Sequence, residues 1–304
     1  MNAKTKVVLL TVTLFLSTQF SLAQLQETTS VLFWNNYLHT NPAMTGAVYK
    51  HQANITWNDY GLKKQYVPVG YQQTIYANYS VKLDKINSGI GASYRYDSHS
   101  AQQFQTGLLS YAYHIPIKSL FLSIGVSGGI KTLNYEYPSS SSSNVPLVKH
   151  KYSPVFSSDF GIALRHEKWN IGVSMTQWNG PTLRLKDSLD DNYKLRAHLW
   201  IFGDYRFTLG ENWSLTPRAQ IVSDNLGLFT NLQVVASWKE NLWFGVGVQN
   251  TWSGSSIFIS PMIGYDIKGR FRLGYTAIIS TRNNYGGNLF NRVTHEAVLG
   301  FLLK

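Results

Sequence analysis

Hydrophobic and polar residues alternate along most of the chain, from about residue 48 to the C-terminus, and helical periodicity is hard to find. The stretch IGASYRYD shows the pattern, with Ile90, Ala92, Tyr94 and Tyr96 on one parity and Gly91, Ser93, Arg95 and Asp97 on the other. Such alternation is typical of β-strands whose two faces meet different surroundings. It predicts fourteen strands, at 48–58, 70–81, 88–97, 103–114, 119–133, 157–166, 169–178, 194–208, 213–223, 228–238, 242–250, 255–266, 270–280 and 292–303.

The predicted strands are long, and the links between them alternate in length. Most strands have about ten residues, the length that a tilted strand needs to cross a hydrocarbon core, against five or six in globular proteins. Short links such as 115–118 and 239–241 alternate with mostly longer ones such as 134–156 and 179–193. Short turns at one end, longer loops at the other and an even strand count are typical of bacterial outer-membrane barrels.

The positions of the basic residues favour an apolar face that points into lipid. Seven of them take the parity opposite the apolar side chains, and we expect all seven to face the lumen: Arg95, Lys131, Arg165, Arg196, Arg206, Arg218 and Arg272. A basic residue on the lipid face at mid-depth would cost about 2 to 4 kcal/mol. A soluble exported β-sandwich would leave long strand edges open, whereas a closed barrel has none. We therefore predict an all-β, fourteen-stranded antiparallel transmembrane β-barrel.

The first residues are typical of a secretory signal, and the composition suits a membrane interface. Two early lysines precede a largely apolar run from Val7 to Leu16, and the small-x-small site Ser21-Leu22-Ala23 follows. Charged residues make up 14% of the chain, well below the roughly 25% of soluble domains, and the formal net charge of +11 suits anionic lipid or acidic partners. We predict a signal peptide at 1–23, an N-terminal periplasmic or plug segment at 24–47 and an outer-membrane barrel at 48–304, with both termini in the periplasm.

The chain offers little that is typical of catalysis. The histidines lie in no nucleophile elbow, HExxH pattern or paired-ligand spacing, and the chain contains no cysteine. We expect no enzymatic activity, catalytic residue, metal or cofactor, and no nucleic-acid partner because no binding module is recognisable. His295 and Glu296 are expected to form a polar pair at the rim. Trp34 and Tyr37, with the NPA segment after them, are expected to plug the barrel, touch a periplasmic partner or cap the first strand.

Aromatic residues and prolines give two further expectations. Tryptophans near predicted strand ends suit the interfacial girdles of a membrane barrel: Trp169, Trp178, Trp213, Trp238 and Trp243. Pro217 and Pro261 lie inside predicted strands, where each removes a hydrogen-bond donor from the sheet. We expect both prolines near a bulge or a rim.

Several short motifs recur in a fixed order along the mature chain. Asn41-Pro42-Ala43 and Gly46 form an NPA..G signature, which precedes a strand containing Trp57. The later motifs are INSGIGASYRYD, WSLTP, LWFGVGVQN, FRLGYT and a terminal THE that includes His295 and Glu296. This order resembles the PorP/SprF family, outer-membrane proteins of the type IX secretion and gliding machinery of Bacteroidota. The chain departs from the family pattern at its end, GFLLK, which lacks a terminal aromatic residue.

The resemblance implies a non-enzymatic outer-membrane component that helps to translocate or anchor a secreted surface protein. Its partners would be the C-terminal domain of that protein, other type IX secretion components and outer-membrane lipid. A passive outer-membrane channel or small-solute transporter is the alternative, and its seven basic lumenal residues would give it anion preference. A soluble adhesin is the third possibility.

Overall fold

The computed structural model describes residues 29–59, 73–99, 101–138, 147–186, 192–224, 227–251, 257–280 and 293–303. The predicted signal peptide and parts of several predicted loops lie outside these residues. The described chain begins with a 3-10 helix at Phe33–Asn35, the short helix α1 at Tyr37–Thr40 and a second 3-10 helix at Pro42–Met44. Within the described residues, no helix is both long enough and apolar enough to cross a bilayer.

Eighteen strands follow in chain order. They are β1 (His51–Asp59), β2 (Gln73–Leu83), β3 (Ser88–His99), β4 (Gln102–Ile117), β5 (Leu120–Pro138), β6 (Leu147–Lys151), β7 (Val155–Arg165), β8 (Trp169–Thr176), β9 (Thr182–Arg184), β10 (Asn192–Lys194), β11 (His198–Tyr205), β12 (Phe207–Leu209), β13 (Trp213–Ser223), β14 (Leu228–Trp238), β15 (Leu242–Thr251), β16 (Ile257–Ile267), β17 (Phe271–Ser280) and β18 (Val293–Leu303). Four of them, β6, β9, β10 and β12, are short.

The fourteen remaining strands form a closed antiparallel barrel, which confirms the predicted fold. Neighbours in the sequence are neighbours in the sheet, and β1 pairs with β18 from His51↔Leu303 to Asp59↔His295. The strands are joined at one end by short turns, here called the turn end. Two of these turns, at Lys239-Glu240 and Lys268-Gly269, have positive φ at both central residues, the conformation of type I′ hairpins. The opposite end is called the loop end.

Three of the short strands continue the barrel wall at the loop end. β6 leads into β7, β9 follows β8, and β10 leads into β11, with an interruption in each case. β5 pairs with β7 up to Lys131↔Val155 and then with β6 from Asn134↔Lys151 onwards. β9 pairs with β10. On this side the described wall therefore rises further at the loop end, beyond the interruptions.

The two faces of the wall differ in the way that the alternation predicts. On β5, Ile124, Val126 and Ile130 are exposed outside the barrel, whereas Ser127 and Lys131 are buried inside. The exposed surface of the other strands carries further aromatic and aliphatic side chains, and the buried residues of the strands are rich in serine, threonine, asparagine and glutamine. This arrangement suits a barrel with lipid outside and a polar interior.

The structure corrects two expectations about individual residues. Trp243, predicted for the interfacial girdle, is 5% exposed and packs in the lumen, because its parity is opposite that of its exposed neighbour Phe244. Pro217 and Pro261 lie within strands whose register is unbroken on either side of them, and neither is at a rim. Each instead interrupts the pairing with one neighbour: β11 and β12 separate opposite Pro217, and the β16–β17 pairing skips Pro261.

Candidate functional site in the barrel lumen

Residues 29–47 lie inside the barrel, and residues 48–50, of which Val48 is 55% exposed, connect them to β1 at the turn end. Their side chains form one buried cluster with Trp243 and Val298 and another with Ala163 and Phe202, on different parts of the wall. The predicted limits of this N-terminal segment, 24 and 47, stay predictions, because residues 24–28 lie outside the described part of the chain. Two anchors hold the segment, one on each side of the lumen.

The first anchor is the carboxylate of Glu296 on β18, which is fully buried. Its Oε1 accepts hydrogen bonds from Ser30 Oγ at 2.7 Å and from the backbone N–H of Leu32 at 2.8 Å, and its Oε2 accepts one from the N–H of Val31 at 2.9 Å. Asn58 on β1 donates from Nδ2 at 3.4 Å. A buried carboxylate is stable only when it is paired or well hydrogen-bonded, and these donors meet that need. We call this contact the Glu296 latch.

Amide side chains of the wall extend the latch along the segment. Gln233 donates to the Val31 carbonyl at 2.5 Å, and Asn54 donates to the Asn35 carbonyl at 2.7 Å. The side chain of Asn36 donates to Thr56 Oγ1 at 2.7 Å and accepts from Asn78 at 3.2 Å. The strands therefore provide hydrogen-bond partners for the segment in addition to the backbone hydrogen bonds of its own short helices and turns.

The second anchor is the NPA turn, residues 41–46, on the wall formed by β5, β7 and β8. Asn41 Oδ1 accepts from the N–H of Ala43 at 2.9 Å and so caps the 3-10 helix that begins at Pro42. Asn41 Nδ2 donates to the carbonyls of Ile162 and Val173 on the wall, both at 3.2 Å. Gly46 ends the turn with φ +62, in the left-handed region that favours glycine.

Three glycines of the wall leave room for this turn. A Cβ added at Gly125 would lie 2.3 Å from the backbone carbon of Pro42, and one at Gly161 would lie 2.1 Å from Asn41 Oδ1. A Cβ at Gly172 would meet Phe202 at 2.5 Å and Asn41 Nδ2 at 2.8 Å. The NPA turn thus fits against a surface that has no side chains, and its backbone comes close to the backbone of the wall.

Three of the seven predicted lumenal basic residues contact the N-terminal segment. Arg165 donates from Nη1 to the Ala47 carbonyl. Arg218 lies over the Trp34 ring at 4.4 Å from its centre. Arg272 donates to Asn35 Oδ1 at 2.9 Å and pairs with Asp266, whose oxygens lie 2.8 and 2.5 Å from its nitrogens.

The other four basic residues have partners outside the segment. Arg95 pairs with Asp97 on β3, and Lys131 lies over the Phe104 ring at 5.3 Å. Arg196 lies 3.0 Å from Asp224 near the loop end. Arg206 is exposed at the turn end, between β11 and β12, and pairs with Glu240 at 2.6 Å.

The family-motif residues of the C-terminal part separate across the wall. His295 and Glu296 were expected to form one polar pair at the rim, and this expectation is wrong: adjacent strand residues point to opposite faces, so Glu296 enters the lumen. His295 instead contacts Tyr275 Oη at 2.7 Å, in an exposed pair. Trp57 is 42% exposed on β1, with its indole N–H 3.4 Å from Gln73 Oε1.

Two small cavities adjoin the segment in the described part of the chain. A cavity of about 20 Å³ lies among His39, Arg95, Lys131 and Asp159, and a second of about 10 Å³ adjoins Tyr76 and Trp200. Such volumes hold about one water molecule each. In the part of the chain that the structure describes, no group of three or more His, Asp or Glu side chains is arranged to hold a metal ion.

The sequence analysis missed the residues that receive the segment. Tyr37 was predicted to belong to the N-terminal segment, but its partner Asp204, whose Oδ2 accepts the Tyr37 hydroxyl at 2.8 Å, was not predicted. Asn54, Asn231 and Gln233 attracted no notice. In the sequence, each of these residues is an amide side chain in the middle of a strand, on the parity that faces the lumen. Smaller polar residues would be enough at such positions if nothing had to be bound there.

A family model described as type IX secretion system membrane protein PorP/SprF matches residues 22–301 of this chain. A comparison with curated proteins gives no match. The match of the family model therefore covers both anchors and all of the described strands except the last residues of β18.

Solved structures with the same barrel fold differ widely in sequence. The Pseudomonas putida toluene transporter TodX is 10% identical over 88% of this chain and 91% of its own, with a TM-score of 0.52. The Ralstonia pickettii toluene transporter TbuX is 11% identical over 88% of this chain and 93% of its own, also with a TM-score of 0.52. At such identities the similarity shows the fold alone, and it places the chain among outer-membrane barrels.

Proposed function

Because the chain belongs to the PorP/SprF family of type IX secretion system membrane proteins, we propose that it helps to translocate or anchor a secreted surface protein. The cargo would bind through its C-terminal domain to the loop end of the barrel, and other secretion components would bind at the turn end. The observation that carries this proposal is the family match over residues 22–301.

The occupied lumen supports a role in binding rather than in conduction. The N-terminal segment is held by Glu296 on one wall and by the glycine-lined surface on the other, and the cavities beside it have the size of single water molecules. A protein that works by contact needs a rigid barrel with specific rims, and a filled interior contributes to that rigidity. The surfaces left for partners are the two ends.

Deletion from the host, followed by quantitative proteomics of the cell surface, tests the proposal. We expect one secreted protein, or a small set, to disappear from the surface and to accumulate in the periplasm or the medium. Complementation with the wild-type chain restores the surface protein. An unchanged surface proteome would contradict the proposal.

The channel alternative makes a different prediction. A passive anion channel would give a steady current in planar bilayers, with anion preference due to Arg95, Lys131 and the other basic lumenal residues. We expect the wild-type barrel to give no steady current, since the N-terminal segment lies in its interior and contacts opposite walls. A steady anion-selective current from the wild-type protein would favour the channel.

A further inference from the structure

The wall that rises at the loop end carries five exposed basic side chains on one face. They are Lys149 and Lys151 on β6, Arg184 and Lys186 on and just after β9, and Lys194 on β10. We call this surface the basic face. Glu136 on β5 lies beside it and pairs with Lys149 at 3.1 Å.

The pairing of the strands shows that these residues point out of the barrel. Lys151 lies opposite Asn134 and Lys149 opposite Glu136, on the β5 parity that also holds the exposed Ile130. The next residue, Tyr152, pairs with Leu185, and both belong to the inner side. On β9 and β10, Leu183 and Tyr193 face each other in register, and their neighbours Arg184 and Lys194 therefore take the outer face.

The inner side of the same wall is apolar. Leu133, Leu183 and Leu195 are buried together with Phe104, and Tyr193 packs against them. This cluster fixes the raised wall, so that the basic side chains project from an ordered sheet. Alternation of buried leucine and exposed cation in the stretch from Leu183 to Lys186 makes one face apolar and the other cationic.

The basic face lies directly beyond the lipid-facing surface of the same strands. Phe156 on β7 is 59% exposed and follows Lys151 by five residues, a distance of at most about 16 Å along a strand. Leu199 on β11 is 40% exposed and follows Lys194, again by five residues. The exposed Trp178 lies between β8 and Arg184. Exposed tryptophan marks the boundary between hydrocarbon and head groups. The cations therefore stand at the level of the lipid head groups.

We propose that the basic face binds phosphate-bearing head groups of the outer-leaflet lipid around the barrel. The loop end of a bacterial outer-membrane barrel is its outer end, so this is the leaflet that the face meets. Lysine and arginine pair with phosphate oxygens, and long basic side chains reach from a strand end to the head groups. A soluble acidic protein would approach the barrel from above and meet cations at the tips of the loops. These cations instead point sideways from the wall, just above the lipid-facing surface.

Lipid binding by the purified full-length protein in detergent micelles tests this proposal. The probes are fluorescent diphosphoryl lipid A and the same lipid with its phosphates removed. The test variant combines Lys149→Gln, Lys151→Gln, Arg184→Gln, Lys186→Gln and Lys194→Gln. The matched control removes five lysines from the turn end: Lys85→Gln, Lys118→Gln, Lys168→Gln, Lys239→Gln and Lys268→Gln. Heat-modifiable migration on gels verifies that both variants fold.

We expect the wild type to bind diphosphoryl lipid A more tightly than the dephosphorylated lipid, with an affinity that falls as salt rises. Each basic residue near an anionic surface contributes about fivefold, so the test variant loses at least roughly tenfold in affinity while the control stays within about twofold. Equal losses in both variants, no loss in the test variant, or equal binding of the two lipids would each overturn the proposal. The lipid proposal would also be overturned if the test variant bound lipid A as tightly as the wild type but no longer retained an acidic secreted protein. The basic face would then be a protein-binding site.

Discussion

The two anchors of the N-terminal segment hold it by opposite means. At the Glu296 latch the wall adds a charged group, and the segment supplies the donors Ser30, Val31 and Leu32. At the NPA turn the wall has glycines in place of larger residues, and Gly125 and Gly161 let the turn come close to the backbone of the wall. The anchors lie on different walls, separated by β2 to β4 on one side of the barrel and by β11 to β17 on the other.

This difference determines what each anchor tolerates. The latch depends on atoms that are present, and removal of the carboxylate leaves buried N–H groups without acceptors. The turn depends on empty space, and addition of a single methyl group produces overlap. Loss of atoms should therefore open the segment at the latch, and gain of atoms should open it at the turn.

The absence of cysteine from the chain allows each anchor to be followed separately. Val31→Cys places a thiol beside the latch, at a position that is 1% exposed, and Ala43→Cys places one in the turn, at a position that is 0% exposed. The rate at which a maleimide labels each thiol in the folded barrel reports how often that part of the segment opens. The four predictions below use these two reporters.

The largest effect is expected for Glu296→Ala. It removes the acceptor of two buried N–H groups and one hydroxyl, which costs about 3 to 5 kcal/mol. Labelling of Val31→Cys should rise by roughly two to three orders of magnitude, and labelling of Ala43→Cys much less. His295→Ala, on the opposite face of the same strand, is the control and should change neither rate. Similar acceleration at both reporters would show that the segment leaves the barrel as one unit.

A smaller effect, at the other reporter, is expected for Gly125→Ala. The new methyl group would lie 2.3 Å from the backbone carbon of Pro42, and overpacking of this kind costs about 1 to 3 kcal/mol. Labelling of Ala43→Cys should rise by roughly one to two orders of magnitude, with Val31→Cys almost unchanged. Gly107→Ala is the control, since an added Cβ there has no neighbour within 4 Å. The steric account of the NPA turn fails if Gly107→Ala accelerates labelling as much as Gly125→Ala.

Asn41→Ala tests the polar part of the same turn. It removes the cap on Ala43 and two hydrogen bonds to the wall, with an expected cost of about 1 to 2 kcal/mol. Asn41→Asp keeps the capping oxygen, but its second carboxyl oxygen faces the carbonyls of Ile162 and Val173 and repels them. If Asn41→Asp nevertheless labels at Ala43→Cys more slowly than Asn41→Ala, the cap outweighs the contacts with the wall.

The sequence predicted the barrel because alternation repeats over fourteen strands, so an error at one strand leaves the pattern of the others intact. It could not predict the anchors from the same pattern. The pairing of β5, β7 and β8 brings Gly125, Gly161 and Gly172 together, and only the tertiary fold places Asn41 beside them. Alternation does give the face on which Glu296 lies, but the fold alone reveals that residues 30–32 meet it there.

The interruptions of the raised wall show a second limit of parity. At 152–154, 177–181 and 195–197 the strands break, and the alternation continues with a changed phase beyond each break. Parity taken across these breaks therefore assigns the wrong face to residues beyond them. A single strand at 194–208 was predicted where the structure has β10, β11 and β12, and the predicted position of Arg196 rested on that strand.

The smallest effect is expected for Tyr37→Phe, which tests whether the two anchors are coupled. Tyr37 lies between them in the segment, donates to Asp204 at 2.8 Å and packs on Phe202 with ring centres 4.4 Å apart. Phenylalanine keeps the ring contact and loses one hydrogen bond, a cost of about 1 kcal/mol, because Asp204 still accepts from Asn170 at 3.1 Å. Because Tyr37 lies between the anchors and supports the segment on both sides, both reporters should accelerate by about fivefold. Tyr111→Phe, which removes one hydrogen bond to Ser88 on the wall, should change neither. Acceleration at Ala43→Cys alone would mean that the NPA turn opens independently and that the latch holds its part of the segment without help from the middle.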